Sequence, residues 1–204
     1  MENYADILFI DEVKALQEQD GSAEHYAEFY PGRTKPALDE SERDFIETRE
    51  SFYIASVSST GWPYLQHRGG PQGFLKVIGE NQLGFIDYPG NHQFITMGHS
   101  ENDSKVALFL MDYERRARLK LLGNLSMQHG KDAEAELIDK LSTPGQARAD
   151  RVAVIDIIAM DWNCPKYIPQ LISSEKVHAF VNSQLEDLSQ ENKALRAELE
   201  KLKS

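Results

Sequence analysis

The chain has 204 residues, 41% of them hydrophobic, which suffices for one substantial core and an appendage but not for two full domains. Twenty-two Lys and Arg stand against 33 Asp and Glu, a formal charge of −11. That balance excludes a non-specific nucleic-acid binder, which needs a clustered basic footprint, so any bound anion must find positive charge locally.

The opening residues MENYADILFIDEV carry acidic groups where a secretory signal needs basic ones, and the longest apolar run, Val106 to Met111, is too short to span a bilayer. Neither a signal nor a membrane segment is expected. A single cysteine, Cys164, rules out an intrachain disulfide and Cys-pair metal motifs and fits a reducing compartment, the cytoplasm by default. Cys164 sits beside Lys166 as its one basic neighbour and reads as structural.

The first fifty residues predict helices around a core: one over Ala5 to Gln19 ended by Asp20-Gly21, and one from about Ser41, where Ser41-Glu42-Arg43-Asp44 has the form of a capping box. Tyr30 to Pro36 reads as a loop. From Ser51 the period changes to that of strands. Phe52 to Ser58 and Trp62 to Arg68 flank Ser59-Thr60-Gly61, and Phe74 to Ile78 and Leu83 to Asp87 flank Gly79 to Gln82, giving two hairpins. Val106 to Met111, Leu119 to Met127 and Val152 to Met160 supply further strands, with a helix over Ala133 to Leu141. Short, closely spaced strands favour an antiparallel barrel over alternating β-α units.

The tail differs in kind. Leu185, Leu188, Asn192, Leu195, Leu199 and Leu202 recur at alternating spacings of three and four, the a/d pattern of a coiled coil with Asn192 at a. With Leu188 at d, Glu191 and Glu198 fall at g, and Arg196 and Lys203 at the e positions they would meet on a parallel partner. A helix folded back on its own barrel is the other use of such leucines; the strict heptad and matched charges favour self-association. Domains are therefore expected at 1–173 and 174–204. The residues before the zipper, Ile172 to Gln184, contain one Lys and no Arg, so a DNA-binding zipper is not expected.

Alternation in Trp62 to Arg68 places Tyr64, Gln66 and Arg68 on one strand face, with Leu65 and His67 on the other. Gln66 and Arg68 thus point together just before Gly69-Gly70, where the planar guanidinium can meet a phosphate or a ring carbonyl, or form a salt bridge at the barrel end. Asp87 to Gln93 is a donor-rich turn whose Gly90 admits close backbone approach and whose successive amides can form an anion nest. Arg118 and Lys120 share a face of their strand and supply local positive charge. The histidine spacings suggest no metal, and neither Gly-x-Ser-x-Gly nor a P-loop occurs.

The segments FYIASVSSTGWPYLQHRGGPQGFLKV, GFIDYPGNHQFITMG, ALFLMDYERRARLKLLG and MDWNCPKYI, in that order across Val13 to Ile168, resemble the FMN-binding split-barrel proteins related to pyridoxamine 5′-phosphate oxidase. The resemblance implies a six-stranded antiparallel split β-barrel, mainly β with flanking helices (α+β), dimeric, with two FMN sites at the subunit interface. By position it implies cofactor contacts from Gln66, His67, Arg68, Asp87, Asn91, His92, Gln93, Arg118 and Trp162, and a substrate-phosphate contact from Lys76. The sequence departs from that family where His92 and Gln93 replace the usual Arg and Lys of the turn. A coiled coil also stands where the oxidase carries an Arg-x-His pair, which places the chain in the flavin-nucleotide-binding branch and not with the oxidase proper.

The function expected is that of a cytoplasmic, homodimeric flavoprotein, an oxidoreductase using FMN to move hydride or electrons to or from a small molecule, with no protein nucleophile required. The alternatives are a non-catalytic flavin-binding redox sensor and a coiled-coil interaction module.

Overall fold

A computed structural model describes residues 1–144, 149–162 and 166–203. Cys164 lies outside them. The chain divides into two compact units, one spanning residues 1–112 and 117–166 and the other residues 113–116 and 167 onward.

The N-terminal helices are α1 (Tyr4–Leu8), α2 (Asp11–Asp20), α3 (Ala23–Phe29) and α4 (Glu40–Glu47), with a 3₁₀ turn at Pro31–Arg33. The single helix expected over Ala5 to Gln19 is broken at Phe9 and Ile10. Phe9 turns inward there and meets Tyr26 and Tyr30 edge-on, with ring centroids 5.6 and 5.1 Å away, so aromatic packing takes the place of continued helix. Gly21, at φ 81°, ends α2 in the left-handed conformation that favours glycine. The capping box of α4 is formed by Asp39 and Glu42, not by Ser41 and Asp44. Asp39 Oδ1 accepts from the Ser41 and Glu42 amides at 2.9 and 3.3 Å, and Glu42 Oε2 accepts from the Asp39 amide at 3.1 Å. The helix starts two residues earlier because Asp39 satisfies more of its orphan amides.

All seven segments read as strands form strands: β1 (Ser51–Val57), β2 (Pro63–Gly69), β3 (Leu75–Val77), β4 (Gln82–Asp87), β5 (Lys105–Asp112), β6 (Ala117–His129) and β7 (Arg151–Trp162). They build one antiparallel sheet in the order β2-β1-β5-β6-β7-β4-β3, one strand more than the resemblance implied. The fold is a split barrel of the α+β class. Its two remaining helices are α5 (Ile95–Asn102), between β4 and β5, and α6 (Ala135–Leu141), between β6 and β7.

The inner face carries the core, with Phe52 and Ile54 of β1, Leu108 and Leu110 of β5, Leu119 and Leu121 of β6, Phe85 of β4 and Ile155 of β7 all buried. Period-two alternation sends their neighbours outward. Tyr53, Phe109 and Lys120 form one outer row, and Leu65, Ala55, Ala107 and Leu122 the next; Leu65 is 64% exposed and Val57 44%. Gly123 sits at the register shift between β6 and β7, where a Cβ would come within 2.7 Å of the Asp156 carbonyl oxygen.

In the second unit, the Leu171 amide and Gln170 Nε2 donate to the carbonyls of Tyr113 and Glu114, and Arg116 Nε donates to Ile168. The long helix α7 (Ser174–Lys203) follows, 30 residues with none of those described buried. Among the described residues no helix is long and apolar enough to cross a membrane.

Candidate functional site

The strands at the two ends of the sheet, β2 and β3, share no ladder with each other. That gap is where the polar residues converge. Arg68, the penultimate residue of β2, reaches across and donates from Nη1 to Asp87 Oδ1 at the end of β4. Arg151, the first residue of β7 and the register partner of Asp87, donates from Nε to Asp87 Oδ2 at 2.7 Å. One carboxylate therefore bridges two guanidiniums, and side-chain exposures of 16, 6 and 7% for Arg68, Asp87 and Arg151 mean that little water screens them.

The segment after β4 wraps the other side of these groups. Asn91 Oδ1 accepts from the Gln93 amide at 3.2 Å, a local turn of the Asx type. His92 and Phe94 both adopt φ 56°, a left-handed backbone costing about 1–2 kcal/mol per non-glycine residue. The Phe94 ring lies 5.0 Å from the Arg151 guanidinium, a cation-π contact.

Phe94 then opens α5 without a side-chain cap, so the amides of Ile95, Thr96 and Met97 have no intrahelical acceptor, and these three residues line the cavity. Two side-chain contacts hold the helix to the sheet. Thr96 Oγ1 donates to Gln66 Oε1 at 2.8 Å, and the buried Ser56 hydroxyl shares a 2.9 Å hydrogen bond with His99 Nδ1.

The result is a cavity of about 270 Å³ lined by Tyr64, Gln66 and Arg68 of β2, by residues from Asp87 to Met97, and by Met127 and Arg151. Its lining carries two arginines against one aspartate in a chain of net charge −11. Arg68 Nε and Arg151 Nη1 are buried with no hydrogen-bond acceptor; Asp150 Oδ2 approaches Nη1 to 2.5 Å as an ion pair, outside hydrogen-bond geometry. Burial pushes Arg68 below the ordinary arginine pKa and the Arg151 charge adds to that, while Asp87 pulls the other way. An arriving anion would relieve both costs. Unsatisfied guanidinium N–H groups beside a free helix N-terminus form an anion cradle.

Of the residues expected to bind cofactor, Gln66, Arg68, Asp87, Asn91, His92 and Gln93 come together in this one cavity. His67 points to the opposite sheet face, its ring 5.5 Å from Tyr53. Arg118 lies over Phe109 at 5.8 Å with its Nε buried and unbonded, and Trp162 donates from Nε1 to Glu42 Oε1 at 2.9 Å while packing edge-on against Phe45. Lys76 donates to the carbonyls of Lys140 and Ser142 at 3.0 and 2.9 Å and so caps the C-terminal end of α6. None of these four lines the cavity within one chain. Tyr64, placed by alternation on the same face as Gln66 and Arg68, also lines the cavity, whereas Arg151, Thr96, Phe94 and Met127 were not singled out from the sequence.

No family model matches the sequence, and no curated protein matches it. Among solved structures, HupZ of Group A Streptococcus aligns with a TM-score of 0.50 at 12% identity, covering 66% of this chain and 99% of that one. A single-residue variant of HupZ gives the same score at 13% identity over 62% of this chain and 99% of that one. A protein from Lactobacillus delbrueckii, described as a putative pyridoxamine 5′-phosphate oxidase, aligns at 0.49 with 15% identity over 63% and 97% of the two chains. The likeness to HupZ establishes a shared fold.

Proposed function

We propose that this chain is an FMN-binding flavoprotein, with the cavity between β2, β4 and β7 holding the flavin phosphate. The observation that carries the reading is the pair of buried arginines joined by Asp87, with Arg68 Nε lacking an acceptor next to the uncapped start of α5. A phosphate dianion would supply the acceptor that Arg68 Nε lacks. The resemblance of the four sequence segments to FMN-binding split barrels supports the same ligand.

A cavity of about 270 Å³ is below the roughly 300–1,000 Å³ typical of cofactor sites, so the site of one chain suits the phosphate end and leaves the ring beyond it. A second copy completing the site accounts for this. The outer face of β1, β2, β5 and β6 exposes Val57, Leu65 and neighbouring apolar groups and suits a homodimer through the barrels, while α7 offers a second, coiled-coil contact.

FMN, when bound, supplies the hydride or electron chemistry, and an oxidoreductase acting on a small molecule is the activity this reading favours. The chain's own groups bind and orient. Arg68, Arg151 and the α5 amides grip the anion, Thr96 fixes the Gln66 amide, and Asp87 keeps both guanidiniums in place.

The test is the visible absorbance spectrum of the purified protein, with mass identification of what denaturation releases. Bound FMN is expected. Arg68→Met or Arg151→Met should each lower FMN affinity roughly ten- to a hundredfold, since a charge-assisted hydrogen bond contributes about 1.5–3 kcal/mol. A colourless protein that rejects added FMN and FAD would overturn the reading. Turnover with NAD(P)H or oxygen then separates an oxidoreductase from a non-catalytic flavin carrier.

A further inference from the structure

Thirty residues of unbroken helix make α7 about 45 Å long, and its leucines have nothing to pack against. Leu185, Leu188, Leu195, Leu199 and Leu202 are 53–79% exposed, and Val181, one heptad before Leu188, is 44% exposed. Val181, Leu188, Leu195 and Leu202 occupy four successive d positions, and Leu185, Asn192 and Leu199 three successive a positions. The seam thus runs three heptads without interruption. A stripe this regular on a helix this long needs a helical partner.

The charges flanking the seam say which partner. In a parallel pair each g residue faces the e residue five positions on in the other helix, so Glu191 meets the second copy's Arg196 and Glu198 its Lys203. An antiparallel pair sets g against g and e against e, which brings Glu to Glu and Arg to Lys. Only the parallel arrangement of two identical helices matches the signs.

Asn192 agrees with the flanks. An Asn at a is satisfied when it meets its own counterpart in register, and it disfavours higher oligomers and shifted registers. In the single chain its Oδ1 instead accepts from Arg196 Nε at 2.8 Å, an exposed contact between neighbouring turns. Pairing would exchange that contact for an Asn192 to Asn192 bond and release Arg196 to reach Glu191 of the other helix.

We infer that α7 pairs with α7 of a second copy as a parallel, in-register, two-stranded coiled coil. This holds whether or not the barrel binds a flavin. The occupant is the same chain, because the sequence carries both halves of every matched charge pair.

Cysteine cross-linking of the full chain in a Cys164→Ser background tests it. Leu195→Cys, at d, should form an intermolecular disulfide at least tenfold faster than Gln190→Cys, which points away from the seam at f. Asn192→Cys, which removes no leucine, should do the same. Adding Glu191→Lys and Glu198→Lys should slow cross-linking tenfold or more by facing like charges, and further adding Arg196→Glu and Lys203→Glu should restore it. Cross-linking of both seam variants no faster than Gln190→Cys would overturn self-pairing and assign the stripe to another protein's helix. Failure of the fourfold charge reversal to rescue would overturn the parallel register.

Discussion

Asp87 orients two guanidiniums at once, and that double duty sets what each substitution around it should do. Asp87→Asn leaves Arg68 and Arg151 as neighbouring cations with 16 and 7% exposure, Arg151 still paired with Asp150 but Arg68 without its counterion. Removing one member of a buried charged network costs about 3–5 kcal/mol, so the variant should lose that much unfolding free energy in urea. The double variant Arg68→Met/Asp87→Asn should recover part of it, because a single cation then remains. The β2 and turn members of this cluster were legible in the sequence, since alternation alone puts Gln66 and Arg68 on one face and the Asp87 to Gln93 turn is dense in donors. Arg151 was not legible. It is 64 residues from Asp87, and only the β4–β7 register places the two side by side. His67 shows the reverse. It lies on the cavity-lining strand by sequence but on the face that alternation directs away from the cavity.

Among the elements, the strands were read to within one or two residues because a half-buried antiparallel sheet imposes a strict period of two. The N-terminal helices were harder. α3 was not anticipated, and the break between α1 and α2 is set by tertiary aromatic contacts among Phe9, Tyr26 and Tyr30, which no local periodicity encodes. Tyr30 ties this aromatic cluster to β7 by donating to Asp161 Oδ2 at 3.5 Å. Burial, with the Asp161 charge adding, pushes its pKa from 10.0 up to about 12. A pKa raised in the folded state means stability present below pH 10.0 and lost as pH climbs toward about 12. Alkaline titration should therefore loosen the helical cluster in that window, seen as loss of near-ultraviolet circular dichroism. Tyr30→Phe should flatten the Tyr30 share of the loss.

For the molecule as a whole, the −11 charge opposes association through long-range repulsion, so a dimer needs concentrated apolar contact and locally matched charges. In the proposed dimer the exposed outer sheet face would supply the first. Leu65→Glu, at a position 64% exposed in the single chain, should leave monomer folding intact while lowering FMN affinity and the share of dimer together. Sedimentation velocity read beside flavin titration checks the linkage, and a variant that lost neither would remove this face from the interface. The heptad spacing of α7 and the charges flanking it can be read from the sequence alone, because they lie along one continuous helix. The split-barrel cavity cannot, because its walls come from four separated segments.

The open edge of the sheet gives the molecule a graded resistance to solvent. β6 and β7 share the longest ladder, eleven registered pairs, whereas β2 is held on one side by β1 and on the other by the reach of Arg68 to Asp87. Backbone amides of β6 and β7 therefore exchange with deuterium only when the barrel unfolds globally, while those of β2 exchange through a local lifting of the edge. An anion that engages both Arg68 and Arg151 stitches that edge to the centre, so its arrival would be recorded as slowed exchange along a strand whose own hydrogen-bond partners have not changed.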